Sequence, residues 1–294
     1  MRGIVPSLNT AFLGDGSVDL TSMRRLVHHT VAAGCGGMLG LAVAGEHATL
    51  SMDEKLQIID AVSDANAQRI AFIVSVTAPD MADSIALSQA ARTAGADGIC
   101  VQMPDGLDRA GMLGFLRELA PHGPDTLMVQ DLDWVGGGLS VEDIVFLFEN
   151  VAQFSWLKIE TAQAGAKYSA VLKATGGALN VCGGWAVTQL MDAMARGVHA
   201  FIPTGLESIY VEIFDRYHSG DPEAARQLFE RVLPILNFSN QHIGTSIRFF
   251  KQLRKAEGLF EHDVCRSKDA RFDAVQEVEG RHALGLALDL LRRT

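Results

Sequence analysis

The sequence contains no cluster of basic residues, and this lack bears first on its partners. Its 294 residues include 25 Lys and Arg against 35 Asp and Glu, a formal net charge of −10. Because such a surface repels a polyanion, we expect no nucleic acid partner. Long apolar runs are missing too, as is a charged leader followed by an apolar segment. The sequence therefore predicts no membrane span and no signal peptide, and we expect a cytoplasmic protein.

Motifs for metals and dinucleotides are also missing. The four cysteines form no CxxC pair, and none of the nine histidines has the spacing of metal ligands. We therefore expect no metal site, and we interpret the cysteines as small core residues of a reducing compartment. No GxGxxG motif opens the first helical segment, which disfavours an open dinucleotide-binding sheet.

Glycine is plentiful at 29 residues and aromatic residues make up only 7%, a composition typical of an α/β protein with many tight turns. Strand-like apolar runs alternate with helical patterns in eight successive units up to about residue 221. Eight such units predict a (β/α)8 TIM barrel with a C-terminal helical extension. We predict that residues 1–221 form the barrel carrying the active site. Residues 222–294, helical by pattern throughout, are predicted to pack on it.

Lys158 is the most informative residue because it lies inside the apolar run 154–160, the predicted sixth strand. Strand alternation places Trp156, Lys158 and Glu160 on one face, which we expect to point into the barrel. Burial disfavours an ammonium, so we expect a lowered pKa and a neutral, nucleophilic amine at Lys158. Two alternatives remain open. The lysine head could reach solvent or a carboxylate, or Glu160 could hold Lys158 protonated in a salt bridge.

Several stretches of the chain together resemble one enzyme family. Residues 45–54 (GEHATLSMDE) are similar to the GExxxLSxxE signature of the dihydrodipicolinate synthase / N-acetylneuraminate lyase family. Residues 15–19 (DGSVD) and 95–98 (GADG) match its opening and its fourth-strand motif, and Lys158 falls where that family carries its imine-forming lysine. The similarity spans the whole chain, including the helical tail.

The resemblance implies a barrel enzyme in which Lys158 forms an imine with the ketone of a 2-oxo acid, usually pyruvate. It implies no metal and no organic cofactor, because the covalent imine itself is the electron sink. It also implies a homo-oligomer, a tetramer or a dimer, with a small-molecule 2-oxo acid as the partner.

The departures from the family pattern concern the substrate. Members that condense pyruvate with aspartate semialdehyde resemble GTTGE after the second strand, but Val43 and Ala44 stand in the threonine places here. Neither side chain can hydrogen-bond a carboxylate. The family tyrosine after the fifth strand corresponds to Gln130, followed by Asp131 in the asparagine place, and the usual arginine is missing from residues 133–138. A lysine-pathway synthase is therefore not the first interpretation.

The candidate site residues follow from strand ends and from these correspondences. We expect Lys158, Gln130 and Glu160 to be catalytic. The loops after strands seven and eight, where barrels often cradle a phosphate, leave a phosphorylated sugar acid open, with tight glycine turns as the alternative. Glu46 has an alternative role of fixing its turn through backbone N–H bonds. The expected substrate-binding residues are Val43, Ala44, Gly45, Glu46, Asp131, Gly183, Gly184 and Thr204.

Three functions remain compatible with these residues. The first is a Schiff-base lyase or aldolase that makes or breaks a C–C bond of a 2-oxo acid. The second is a sugar-acid dehydratase that uses the same lysine imine. The third is a catalytically silent family member that binds a small acid, which the altered supporting residues favour. An idle buried lysine would cost stability, and this argues against the third function.

Overall fold

The computed structural model describes residues 1–184 and 188–293. Within them, eight strands alternate with eight helices, and three further helices follow. The strands are β1 (Gly3–Ile4), β2 (Gly37–Gly40), β3 (Ala71–Ser75), β4 (Gly98–Gln102), β5 (Thr126–Asp133), β6 (Phe154–Thr161), β7 (Asn180–Gly183) and β8 (Ala200–Phe201). The helices are α1 (Leu20–Ala32), α2 (Met52–Asn66), α3 (Met81–Thr93), α4 (Arg109–Leu119), α5 (Val141–Asn150), α6 (Ala164–Ala174), α7 (Leu190–Ala195), α8 (Glu207–His218), α9 (Pro222–Ser239), α10 (Ile243–Ala256) and α11 (Ala274–Leu291).

This order of elements is a (β/α)8 barrel with a C-terminal helical extension, and the predicted fold class is confirmed. Residues form two compact units: a central unit (1–2 and 71–202) and a terminal unit (3–70 and 203–294). The predicted boundary between residues 221 and 222 coincides with the start of α9, which Asp221 caps. As a domain boundary it stays a prediction.

The central unit is built on parallel strands that pair in chain order from β3 to β8. β5 and β6 are its longest strands, and their apolar residues Val129, Leu157 and Ile159 are fully buried. Parallel strands covered on both faces carry such continuous apolar runs. The register of this sheet aligns Gln102 with Gln130 and Gln130 with Lys158 across three neighbouring strands. One layer of side chains therefore contains both glutamines and the lysine.

Helices of the central unit begin at side-chain caps. Asp80, Asp108 and Ser140 each accept a backbone N–H from the first turn of α3, α4 and α5, respectively. Each cap fixes the residue at which its helix begins, and so the length of the loop that joins this helix to the preceding strand. The sequence also predicts a helix over residues 187–196. The structure describes it as α7, and Val187 lies outside the described residues.

The terminal unit holds β1 and β2, and Ser7, which follows β1, forms a parallel bridge with Leu39. The predicted capping box of α2 is present, because Ser51 and Glu54 each accept the other's backbone N–H. The prediction that residues 222–294 are helical throughout is wrong for residues 257–273. After α10, Gly258 takes φ +75°, in the left-handed region, and the chain continues without helix to Asp273, the N-cap of α11. None of the described helices is long and apolar enough to cross a bilayer.

Candidate active site

Lys158, Glu160 and Gln130 form a buried cluster on one face of β5 and β6. Lys158 lies opposite Gln130 in the strand register, and Glu160 lies two residues farther along β6 on the same face. The Nζ of Lys158 is 3.0 Å from Oε2 of Glu160, and Nε2 of Gln130 donates a hydrogen bond to that same oxygen. All three residues are buried. The structure thus brings the three predicted catalytic residues together.

The electrostatics of this cluster differ from the expectation. Burial alone lowers the pKa of Lys158, but the nearby Glu160 carboxylate outweighs it, so the pKa lies above the usual 10.5. The expected lowered pKa is therefore wrong for the free protein, and the alternative holds, in which Glu160 keeps Lys158 protonated in a salt bridge. Strand alternation correctly placed Lys158 and Glu160 on one face of β6. It could not reveal how closely Glu160 approaches the ammonium.

Two thiols lie near the lysine. Cys182 is aligned with Lys158 on β7, and Cys100 lies on β4. Burial raises the pKa of Cys100 to about 12 and that of Cys182 well above 9.0, with the Lys158 ammonium opposing both shifts. Both cysteines are therefore neutral near pH 7. They contribute packing around Lys158 and leave Glu160 as its anionic partner.

Gly184 follows β7 directly beside the pair. A Cβ at Gly184 would lie 2.7 Å from Cε of Lys158 and would collide with the Glu160 carboxylate. Glycine here keeps room for the lysine and whatever it binds. Gly183 ends β7, and its carbonyl accepts the backbone N–H of Ile202 at 2.9 Å. Substrate contact by either glycine stays a prediction.

Asp131 points to the opposite face of β5 from Gln130. Its carboxylate forms an ion pair with Lys167 of α6 and accepts the backbone N–H of Leu139 at 2.9 Å. Burial raises the pKa of Asp131, and the hydrogen bond from Lys167 opposes that shift. These bonds fix the glycine-containing loop after β5. Within this loop Gly136 donates its backbone N–H to Asp133, the last residue of β5, at 2.8 Å. Whether Asp131 also binds substrate stays a prediction.

A cleft of about 540 Å³ lies in the central unit, between the loops that follow β4 and β5. Gln102 and Leu132 form part of its floor, and Gln102 is aligned in register with Gln130. Leu132 is aligned with Glu160. Lys158, Gln130 and Glu160 themselves are not among the residues that line the cleft. Its lining residues are Gln102, Met103, Pro104, Asp105, Gly106, Leu107, Met112, Asp131, Leu132, Asp133, Trp134, Val135, Gly138 and Leu139.

Sequence reasoning missed three residues of this region. Gln102 ends β4 on the Lys158 layer, a position that strand alternation and the barrel rule could have identified. Trp134 is a half-exposed aromatic residue in the loop after β5, 43% accessible. Lys167 carried no usable signal, since it contacts Asp131 from 36 residues away in sequence.

The loop after β2 belongs to the terminal unit. Val43–Gly45 form a 3-10 turn whose carbonyls are used within that unit. Asn9 donates to the carbonyl of Ala44 at 2.9 Å, and Thr10 donates to that of Gly45 at 2.6 Å. A Cβ at Gly45 would lie 2.9 Å from the carbonyl oxygen of Leu8, so this turn approaches neighbouring backbone closely.

Glu46 fixes this loop to the C-terminal segment. It adopts φ +56°, and its carboxylate forms an ion pair with Lys251 in which neither side chain is exposed. It also accepts the backbone N–H groups of Arg266 at 2.8 Å and Ser267 at 2.6 Å. The alternative predicted for Glu46, acceptance of backbone N–H bonds, is present, with donors from residues 266–267 rather than from its own turn.

Thr204 and Gly205 follow β8 in the terminal unit. Thr204 is half-buried, and Gly205 takes φ +82°. A Cβ at Gly205 would collide with the Phe250 ring, so backbone conformation and packing account for this glycine. Phosphate binding by Thr204 stays a prediction. Among the described residues, no three His, Cys, Asp or Glu side chains are grouped so that they could hold a metal.

A buried lysine on the sixth strand of a barrel, paired to a carboxylate, is the kind of side chain that imine-forming barrel enzymes use. The chain resembles, in sequence, the 4-hydroxy-tetrahydrodipicolinate synthase of Geobacter metallireducens, at 28% identity over 80% of this chain and 82% of that protein. The L-2-keto-3-deoxyarabonate dehydratase of Azospirillum brasilense is 26% identical over 83% of this chain and 81% of its own length.

The solved structure of dihydrodipicolinate synthase from Rhodopseudomonas palustris superposes on this chain with a TM-score of 0.88, at 22% identity, and covers 97% of each chain. At that identity the likeness supports the fold. The family profile described as "Dihydrodipicolinate synthetase family" matches residues 1–274. The chain belongs to this family of lyases.

Proposed function

We propose that this protein is a Schiff-base-forming lyase or aldolase that acts on pyruvate or another 2-oxo acid. The observation that carries the proposal is the buried Lys158–Glu160 pair, with Gln130 bonded to the same carboxylate oxygen. A buried lysine beside a single proton acceptor is the arrangement that imine chemistry requires. Membership of the family supports the same reaction class.

Imine formation begins with a proton transfer. The Lys158 ammonium gives a proton to Glu160, and the neutral amine adds to the C2 carbonyl of the 2-oxo acid. The resulting carbinolamine carries a hydroxyl, which takes the proton back from Glu160 and leaves as water. The product is an iminium on Lys158 with Glu160 again ionised.

Bond cleavage uses the iminium as the electron sink. Glu160 removes the proton of the C4 hydroxyl, the C3–C4 bond breaks, and its electron pair moves into the iminium to give an enamine and an aldehyde. Glu160 then returns the proton to C3, and water hydrolyses the imine to regenerate Lys158. Condensation is the same path in reverse. No metal or organic cofactor is required, since the imine supplies the sink.

In this scheme Glu160 transfers the protons. The family resemblance implies that role for a tyrosine, at the position that Gln130 occupies in this chain. The Gln130 amide does not titrate, but its hydrogen bond holds Glu160 toward Lys158. Gln130 is therefore a positioning residue. Substrate contacts by Val43, Ala44, Gly45, Glu46, Asp131, Gly183, Gly184 and Thr204 stay part of the proposal. A homo-oligomeric state also rests on the family resemblance.

A sugar-acid dehydratase is the second candidate. It is favoured by the sequence likeness to the Azospirillum brasilense dehydratase. That identity, 26%, is close to the 28% found with the Geobacter metallireducens synthase. The two paths diverge at the iminium. In the dehydratase Glu160 removes the proton from C3 to give the enamine, which then expels the C4 hydroxyl as water with that proton returned by Glu160, and the C3–C4 bond stays intact. Product analysis separates the two, since a lyase forms pyruvate and an aldehyde whereas a dehydratase keeps the carbon chain intact.

The proposal is tested by reductive trapping. The protein is incubated with pyruvate and borohydride, and its intact mass is measured. We expect one reduced adduct per chain in the native protein and in Lys173→Ala, which removes an exposed lysine of α6. Lys158→Ala should show none. No adduct in the folded native protein, with pyruvate or with any longer 2-oxo acid, would overturn the proposal and favour the silent small-acid-binding protein.

A further inference from the structure

We propose a further activity for the Lys158 site, the decarboxylation of 2-oxo acids that carry a second carboxylate on C3, the class that oxaloacetate represents. This activity rests on the proposed function, because it needs the same Lys158 imine. It differs in the group that leaves, which is CO2 in place of an aldehyde or water. The charges around Lys158 support it.

The layer of side chains around Lys158 contains no second cation among the described residues of β4 to β7. In the strand register Gln102, Gln130 and Cys182 are aligned with this layer, and all three are neutral near pH 7. The charged group beside the lysine is an anion, Glu160, whose Oε2 lies 3.0 Å from Nζ. The two side chains are 5% and 9% accessible, so solvent screens their charges weakly. A carboxylate on C3 of a bound acid would therefore be offset by the iminium alone.

Such a carboxylate is a group that the iminium can release. The C3–C4 bond breaks, its electron pair moves into the iminium to give the enamine, and the carboxylate leaves as CO2. Burial favours this step, because it removes one negative charge from a site that already holds the Glu160 carboxylate. Glu160 then takes up a proton from solvent and delivers it to C3, and water hydrolyses the imine. For oxaloacetate, one dianion and one proton are consumed, and pyruvate and CO2 are formed.

Two routes to the same enamine differ in their need for a base. From the pyruvate iminium, Glu160 must remove a proton from C3, because the methyl group has nothing else to release. From the oxaloacetate iminium, CO2 leaves without a proton transfer, so this step needs no base. Loss of the Glu160 carboxylate should therefore slow the first route more than the second.

The test measures both routes in the same variants, with a chelator present to suppress decarboxylation by free metal ions. Exchange of the pyruvate methyl protons in D2O, followed by NMR, reports the first route, and CO2 released from oxaloacetate reports the second. We expect both reactions in the native protein and in Lys173→Ala, which removes an exposed lysine of α6, and neither in Lys158→Ala. In Glu160→Gln the ratio of decarboxylation to exchange should rise at least about tenfold, since a positioned base contributes about 10²- to 10⁴-fold in rate.

Decarboxylation that is no faster in the native protein than in Lys158→Ala would overturn this activity, as would an unchanged or lower ratio in Glu160→Gln. Borohydride trapping of pyruvate keeps the two proposals apart. Trapping on Lys158 without decarboxylation of oxaloacetate would remove the further activity and leave the proposed function intact. Failure to trap pyruvate on Lys158 would remove both.

Discussion

Lys158 and Glu160 lie two residues apart on β6, with Nζ of the lysine 3.0 Å from Oε2 of the glutamate, and both residues are buried. The pair makes the free protein's lysine a poorer nucleophile, because Glu160 holds the pKa of Lys158 up against the lowering effect of burial. The same carboxylate is the nearest group that can take the proton when substrate arrives. Ground-state pairing and proton transfer are thus two consequences of one contact.

Glu160→Gln separates these two consequences. Without the carboxylate, the lowering effect of burial on Lys158 is less opposed, so its pKa should fall and the pH midpoint of pyruvate trapping should shift to lower pH, while the maximal trapping rate drops because Glu160 no longer carries the proton. Turnover should also drop by about 10²- to 10⁴-fold, since general acid–base transfer is lost. Trapping rate and kcat are measured from pH 5 to 10.

Glu160→Asp is the matched control, because it keeps the carboxylate on a shorter stem and should restore part of the turnover. An unchanged kcat in Glu160→Gln would contradict the role of Glu160 as proton carrier. A pH midpoint of trapping that does not move to lower pH would contradict its effect on the pKa of Lys158.

Gly184→Ala tests whether the space beside the lysine is needed. The added methyl would press on Cε of Lys158 and on Glu160, so we expect imine trapping to fall at least about tenfold. Gly114→Ala is the control, since no atom lies within 4 Å of its added Cβ in α4 and the change should stabilise that helix by about 0.5–1 kcal/mol. Equal trapping in both variants would show that Gly184 is a turn residue only.

Arg254 and Glu207 form a second buried pair, in the terminal unit, where neither side chain is exposed and Nη1 donates to Oε2 at 2.9 Å. Arg254→Met leaves Glu207 buried beside the half-buried His29 alone, and we expect a loss of about 3–5 kcal/mol in the free energy of unfolding. The double variant Arg254→Met with Glu207→Leu should recover much of it. Urea unfolding measures both, and equal stability of all three proteins would contradict this account.

The same pair predicts acid sensitivity. Burial raises the pKa of Glu207, but Arg254 and His29 outweigh that effect and hold it well below the ordinary 4.5. A carboxyl whose folded pKa is depressed contributes stability above its unfolded pKa, and that contribution is lost as the pH falls from about 4.5 toward the folded value. The unfolding free energy should therefore decline less below pH 4.5 in the double variant than in the native protein. Parallel declines would count against Glu207 as a source of acid sensitivity.

The sequence predicted the parts of this molecule that depend on local pattern. Strand alternation put Lys158 and Glu160 on one face, and the Ser51–Glu54 capping box starts α2 as expected. These features need only neighbouring residues, so a single sequence suffices to predict them.

Long-range contacts were beyond such reasoning. The ion pairs of Asp131 with Lys167 and of Glu46 with Lys251 join elements far apart in the chain, and no periodicity signals them. The shift in the pKa of Lys158 was left open between two alternatives for a related reason. Its sign depends on the balance between desolvation and an approach of Glu160 that only coordinates reveal.

The central claim is that Lys158 is the imine-forming residue, and a second buried lysine makes the decisive comparison available. Burial lowers the pKa of Lys251 below 10.5, although Glu46 opposes the shift, so pKa alone would favour Lys251 as the nucleophile. Geometry favours Lys158, because it lies on a barrel strand beside Gly184 and the carboxylate of Glu160, whereas Lys251 is bonded to Glu46 and to the carbonyl of Val264 at 2.9 Å.

Peptide mapping of the native protein after reduction with pyruvate and borohydride decides between the two lysines in one measurement. We predict that the adduct mass lies on the peptide containing Lys158 and that the Lys251 peptide is unmodified. An adduct on Lys251, or adducts spread over surface lysines with none on Lys158, would contradict the account.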